Sequence, residues 1–293
     1  PRDPMKWRGR RTSTNISDRR RGGTGRRVAR TGGGVGIVGI LALLVGMYFG
    51  VDLSPFLGVM QGGSVASAPS HSAAGPNRID DEMEEFIAVV LADTEAVWQQ
   101  EFQIRGGRYQ EPTLVLFSES VGSACGFASS ASGPFYCPGD NQIYLDTSFF
   151  TTLERQLGAR GDFAKAYVIA HEVAHHVQNL IGIMGQTYAA RARATEAEAN
   201  AISVRIELQA DCFSGVWARA VEQRFGVLEP GDIEEAMNAA ASIGDDILQR
   251  RSGRAVVPDS FTHGTSEQRQ RWFYTGYRTG QMERCDTFAA ERL

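Results

Sequence analysis

The chain has 293 residues, 42 % of them hydrophobic. That is enough to bury one large domain or two small ones, and it excludes a disordered or low-complexity protein. The formal charge of −4 hides a segregation: residues 1–31 hold eleven Lys or Arg against two acids, so everything after them carries −13. This asymmetry reads as two environments for one chain. It does not read as a nucleic-acid-binding surface, since no aromatic or fold signal accompanies the basic stretch.

In chain order, residues 1–31 are expected to form a basic cytoplasmic tail and 32–52 a single transmembrane helix. From Gly32 to Val51 the sequence carries no charge. At 1.5 Å per residue such a run reaches about 30 Å, the thickness of a bilayer's hydrocarbon core. Arg19-Arg20-Arg21 and Arg26-Arg27 precede it, and positive charge stays on the cytoplasmic side, so the remainder of the chain should be exported. A cleaved signal peptide is the alternative, with Ala66-Ser-Ala68 as its cleavage site, although that site lies far beyond a normal apolar region. Residues 53–77, rich in Gly, Ser, Ala and Pro, read as a flexible linker in which His71 is inert.

The exported domain then spans 78–293. Met83, Phe86, Ile87, Val90, Leu91, Val97 and Trp98 recur at helical spacing and predict a helix over 80–103. A strand over 113–117 follows Pro112, and a loop of small residues runs over 118–134. Residues 135–146 read as a hairpin, with Pro138 limiting one arm to an edge or a turn. Asp162 is placed to N-cap a helix over 163–181 that Gly182 ends. A long helix is expected from about 188 or 195 to 225, then helices over 232–250 and 266–279. This order gives an α+β fold, mostly helical with a small β-sheet.

Four cysteines, Cys125, Cys137, Cys212 and Cys285, all follow the apolar run. Of the three pairings they allow, Cys125 with Cys137 closes a short Gly/Ser/Pro-rich loop, and Cys212 with Cys285 pins the C-terminal segment to a core helix. An exported domain permits such disulfides. A cysteine zinc site is the competing reading, and it lacks any C-x2-C spacing.

Residues 171–175 read His-Glu-Val-Ala-His inside an apolar helical stretch. Positions i and i+4 share one helix face, so His171 and His175 can offer a ring nitrogen each to one metal ion. Glu172 sits about 100° round the helix, within reach of a water at that ion. This is the HExxH signature of zinc metallopeptidases. A third ligand must come from elsewhere: His263 or a carboxylate. Glu207 and Asp211 stand four apart on the long helix among Val204, Ile206, Leu208, Cys212 and Phe213. Glu207 is preferred as ligand over Glu196 and Glu198, because Asp211, one turn on, can orient a ligand histidine. The proposed zinc-activated water reacts with Glu172 as general base. His263, and more weakly Tyr188, Tyr274 and Tyr277, are the candidates for a second donor to the developing oxyanion. The alternative reading of His263 is a capping or loop histidine. The strand at 142–146 is placed either to pair with a substrate backbone or to lie in the core.

His171-Glu-x-x-His175 with Glu207-x3-Asp211 is the gluzincin arrangement, in which the third zinc ligand is a glutamate. More widely, the chain resembles the bacterial family of putative neutral zinc metallopeptidases, the YpfJ-like proteins. The resemblance rests on Met5-Lys-Trp-Arg-Gly-Arg-Arg11, the single span, Tyr136-Cys-Pro-Gly-Asp140, Ile169 to Gln178, Glu207-Leu-Gln-Ala-Asp-Cys212 and Thr262 to Phe273. It implies a zincin-like domain with Zn2+ at His171, His175 and Glu207. It also implies a peptide or protein substrate and a single-pass position in the bacterial inner membrane, with the catalytic domain periplasmic or extracellular. A non-hydrolytic zinc-binding partner or chaperone on the same scaffold is the alternative, against which the intact Glu172 argues.

Overall fold

The structure, a computed structural model describing residues 4–20, 78–253 and 255–293, opens with strand β1 (Ile16–Asp18). Helix α1 (Glu82–Ile104) follows, then strands β2 (Thr113–Phe117), β3 (Ser120–Ser123), β4 (Gly126–Ser129), β5 (Phe135–Cys137) and β6 (Gln142–Asp146). The rest is helical: α2 (Ser148–Arg155), α3 (Asp162–Leu180), α4 (Ile183–Arg191), α5 (Glu196–Phe225), α6 (Asp232–Ser242), α7 (Asp245–Arg251) and α8 (Ser266–Thr279). The mixed, mostly helical fold expected from the sequence is present.

Strand order in the main sheet is β1-β2-β6-β5, with β1, β2 and β6 parallel and β5 antiparallel to β6. Alternation along β2 explains its burial on both faces. Leu114 and Leu116 enter the main helical core, while Val115 and Phe117 join Val121, Cys137 and Tyr144 on the other side. The second face is covered by the β3–β4 hairpin, which forms within the stretch expected as a loop. The Cys125–Cys137 disulfide ties that hairpin to β5, and Cys212–Cys285 ties α5 to the C-terminal turn, both as expected. The hairpin at 135–146 is also present. Its second arm, β6, is an interior strand, so the sheet edge beside α3 belongs to β5.

The N-terminal residues correct the expected division of the chain. Residues 4–20 belong to the same compact unit as 78–293, not to a separate basic tail. Met5, Trp7 and Ile16 are buried in the main core, and Trp7 Nε1 donates to Asp162 Oδ2 at 3.0 Å. The basic side chains neutralise acids of α1: Arg10 grips Asp93 at 2.5 and 2.7 Å, Arg11 meets Glu95 at 3.0 Å, and Arg20 meets Glu84 at 3.2 Å. Part of the charge segregation in the sequence is therefore internal pairing. Residues 21–31, the expected span at 32–52 and the linker at 53–77 lie outside the described residues. Among the described residues no helix is long and apolar enough to cross a membrane.

Two helix boundaries differ from expectation for identifiable reasons. Asp162 is the first residue of α3 and not its cap; the free Phe163 N–H is satisfied by Glu235 Oε2 of α6 at 3.2 Å. The helix expected over 232–250 divides at Gly244, where a Cβ would overlap the backbone of Ser266. Close approach also defines the crossing of α5 with α8. A Cβ on Gly215 would overlap the Phe273 carbonyl, and one on Gly276 the Cys212 carbonyl.

Replacing Trp7 with Ala should remove about 3 kcal/mol of stability, as large-to-small core changes do, with the loss read by urea unfolding of the full chain. Were Trp7 part of a detached tail, stability would not change. Gly276→Ala should force α5 and α8 apart and lower the melting temperature by more than Gly226→Ala, where a Cβ meets nothing within 4 Å and the only strain is a left-handed φ of 60°.

Candidate metal centre

Helix α3 runs through the middle of the fold and is buried over most of its length, which fixes where its polar side chains point. Tyr167, His171 and His175 follow at intervals of four on one face, the imidazole centroids 4.8 Å apart. Glu207 comes to them from α5. Its Oε2 lies 3.0 Å from His171 Nε2, and its Oε1 lies 3.4 Å from His175 Nε2. Ligand atoms of these three residues all fall within 4.8 Å of one another. Glu196 and Glu198, the rival ligands, stand in the first turn of α5, and Glu198 closes a capping box with Thr195.

Each histidine turns its Nδ1 away from this point. His175 Nδ1 meets Gln178 Oε1 at 2.9 Å. His171 Nδ1 lies 2.9 Å from Asp211 Oδ1, but off the line of the ring N–H, so the contact is an ion pair and not a straight hydrogen bond. Asp211 is fully buried and has two further partners. Arg269 of α8 grips it through Nε at 2.8 Å and Nη2 at 3.0 Å, and the Tyr167 hydroxyl donates to it at 2.5 Å. Asp211 therefore stands beside His171 Nδ1, the neighbour expected from the sequence, at ion-pair distance. Neither Arg269 nor Tyr167 was assigned a role from the sequence. Tyr167 could have been found from its place four residues before His171, whereas Arg269 reaches the site only through the α5–α8 crossing.

The chemistry of this donor set suits a divalent cation. Each Nδ1 faces another side chain and both Nε2 atoms converge on a carboxylate; neutral imidazoles present two lone pairs there, an arrangement of acceptors that a cation satisfies. With both imidazoles neutral, as ligands must be, ionised Glu172, Glu207 and Asp211 against Arg269 leave two negative charges in excess, the amount a divalent ion neutralises. Burial opposes an imidazolium at His171, but Asp211 and Glu207 outweigh it and raise this group to about 10. Glu207 is held well below its ordinary range by His175 and His171 in spite of burial. Arg269 and His171 hold Asp211 down against the same penalty. Glu172 moves the other way. Burial pushes its carboxyl up against the pull of His175 and His171, and among the described residues no hydrogen bond occupies it.

His263 lies outside the ligand triad, just ahead of α8. Its half-exposed ring places Nδ1 3.3 Å from Asp245 Oδ1. Asp245 Oδ2 accepts the backbone N–H groups of Thr262, His263 and Gly264 at 2.6–3.0 Å, which fixes the loop. Burial lowers His263, but its contact with Asp245 and the charges of Glu207 and Asp245 together raise it overall. Tyr188 and Tyr274 are exposed, and Tyr277 packs against the core. His176 points elsewhere, as its place off the shared face predicts. Its Nε2 donates to Gln110 O at 2.6 Å and its Nδ1 faces the Tyr136 hydroxyl at 3.0 Å, clamping β5 to α3.

Comparison with known proteins agrees with this geometry. The family described as "Putative neutral zinc metallopeptidase" matches residues 5–288. "Uncharacterized protein YpfJ" of Escherichia coli K12 is 48 % identical over 291 residues, covering 97 % of this chain and 99 % of its own. "Uncharacterized protein Rv2575" of Mycobacterium tuberculosis H37Rv is 47 % identical over 195 residues, covering 63 % of this chain and 65 % of its own. No solved structure matches. The match begins at Met5, so it takes in the N-terminal segment that packs on α1 as well as both helices of the metal centre, and the chain belongs to the family of putative neutral zinc metallopeptidases.

Proposed function

We propose that the chain is a zinc metalloendopeptidase that hydrolyses peptide bonds in a peptide or protein substrate, with His171, His175 and Glu207 holding the metal. The observation that carries this reading is the convergence of two Nε2 atoms and one carboxylate beside a buried glutamate that no hydrogen bond among the described residues ties up. Zinc bound there supplies a Lewis acid that polarises a carbonyl and makes a water acidic at neutral pH. Glu172, its proton affinity raised by burial, takes the proton of the attacking water and delivers it to the leaving amine. His263, oriented by Asp245, donates to the oxyanion that develops on the scissile carbonyl. The free edge of β5, clamped beside α3 by His176, receives the substrate backbone as an added strand. Intact Glu172 disfavours a purely structural or chaperone role.

For localisation, the two disulfides support an oxidising compartment outside the cytoplasm. The apolar run at 32–52 attaches the protein to a membrane in this reading. Because β1 pairs with β2, both flanks of that run belong on the side of the peptidase unit.

In a peptide-library digest, Glu172→Gln should lower hydrolysis at least about 100-fold while the purified protein keeps close to one zinc per chain. Glu207→Ala should lose both metal and activity. Full activity in Glu172→Gln would remove the general base from the mechanism. Tags at the two ends of the chain should become accessible to added protease from the same side of the membrane. Cleavage from opposite sides would refute the shared placement.

A further inference from the structure

The two ligand histidines are supported by different chemistry. Asp211 presents His171 with acceptor oxygens only, whereas Gln178 presents His175 with an amide that could face either way. Turned one way, the amide oxygen takes a proton from His175 Nδ1 and leaves the Nε2 lone pair directed at Glu207. Turned the other way, the amide NH2 would donate to Nδ1 and place the ring proton on Nε2, where a metal must bind. Something beyond Gln178 therefore decides whether His175 is a ligand.

That decision is traceable to groups that can only accept. Gln178 Nε2 donates to the Ile206 carbonyl at 2.8 Å and to Gln209 Oε1 at 3.0 Å, which uses both of its hydrogens. Gln209 has its own sense fixed at the far end, where its Nε2 donates to the Cys285 carbonyl at 3.1 Å. Gln178 is fully buried and Gln209 nearly so, so no solvent replaces a lost bond. Cys285 is bonded to Cys212 on α5. The segment beyond it is tied to the same helix by Arg205 with the Ala290 carbonyl at 3.2 Å and by Thr287 Oγ1 with the Arg205 carbonyl at 2.6 Å.

We infer that Gln178 is the positioning residue of His175, and that the C-terminal segment, through Cys285 and Gln209, fixes the sense of that amide and with it the metal-binding tautomer. The Cys212–Cys285 disulfide then supports metal affinity as well as fold. This rests on the assignment of His175 as a zinc ligand, and the test separates the two.

Zinc affinity of the full chain is measured by competition with a chromophoric chelator, beside the melting temperature of the metal-free protein and the 15N shifts of its labelled histidines. Gln178→Leu and Gln209→Leu should each weaken zinc binding about 10- to 100-fold, and His175 should lose its single Nδ1–H tautomer. Cys212→Ser with Cys285→Ser should shift both readouts in the same direction, and it carries the test should the glutamine variants not fold. A lower melting temperature with unchanged zinc affinity would overturn the inference, leaving these residues a structural role alone. Absence of zinc binding in the wild-type chain would overturn the ligand assignment as well.

Discussion

A carboxylate with no solvent contact sits at the junction of three helices, and the rest of the structure is arranged around keeping it ionised. Asp211 would cost several kcal/mol if left unpaired in the interior. Its partners come from α3, through Tyr167 and His171, and from α8, through Arg269. Satisfying it therefore sets the relation of α3, α5 and α8 to one another. Arg269 and Gly276, seven residues apart, share a face of α8, while Asp211 and Gly215 share a face of α5. The glycines let the backbones close to the distance at which a guanidinium and a carboxylate meet fully buried. Fold and site thus obey one constraint.

The same arrangement divides the metal centre into a dry and an open side. Asp211 and Arg269 lie behind His171 and are sealed, whereas Glu207 is half-buried and His263 half-exposed on the other side. Electrostatic support is strongest where water is excluded, because the effective dielectric is lowest there. In the proposed reaction, the groups that meet a substrate are those toward solvent. Glu172 falls between these regimes: burial raises its proton affinity while the nearby His175 and His171 pull it down.

What the sequence made legible follows the range of the interactions. The pairs His171/His175 and Glu207/Asp211 could be read directly, because each lies on one helix and helical geometry places residues four apart together. Their joining could be argued from chemistry alone, since two histidines leave a zinc site incomplete. Arg269 could not be read in this way, because its meeting with Asp211 spans 58 residues and depends on backbone approach at Gly215 and Gly276. The break at Gly244 was hidden for the same reason: helical periodicity continues through it, and only Ser266, brought from a distant part of the chain, excludes a side chain there. Gln178 lies within the legible helix, yet its role depends on Gln209 and Cys285.

The basic N-terminus has partners inside the fold that a compositional argument does not see. Eleven positive charges before an apolar run match the pattern of a cytoplasmic flank, and that pattern is independent of any fold. The acids of α1 alternate with its apolar residues, a pattern that by itself reads as the solvated face of an amphipathic helix. In the structure these two features answer each other: Asp93 and Glu95 are buried, and Arg10 and Arg11 are the charges that meet them. Removing such partners leaves uncompensated charge in the interior, which is far costlier than losing a surface ion pair. Trp7 adds a direct link to the site, because the Asp162 carboxylate it binds belongs to the first turn of α3, three turns before Glu172. The N-terminal segment is therefore part of what holds α3, and with it His171 and His175, in place.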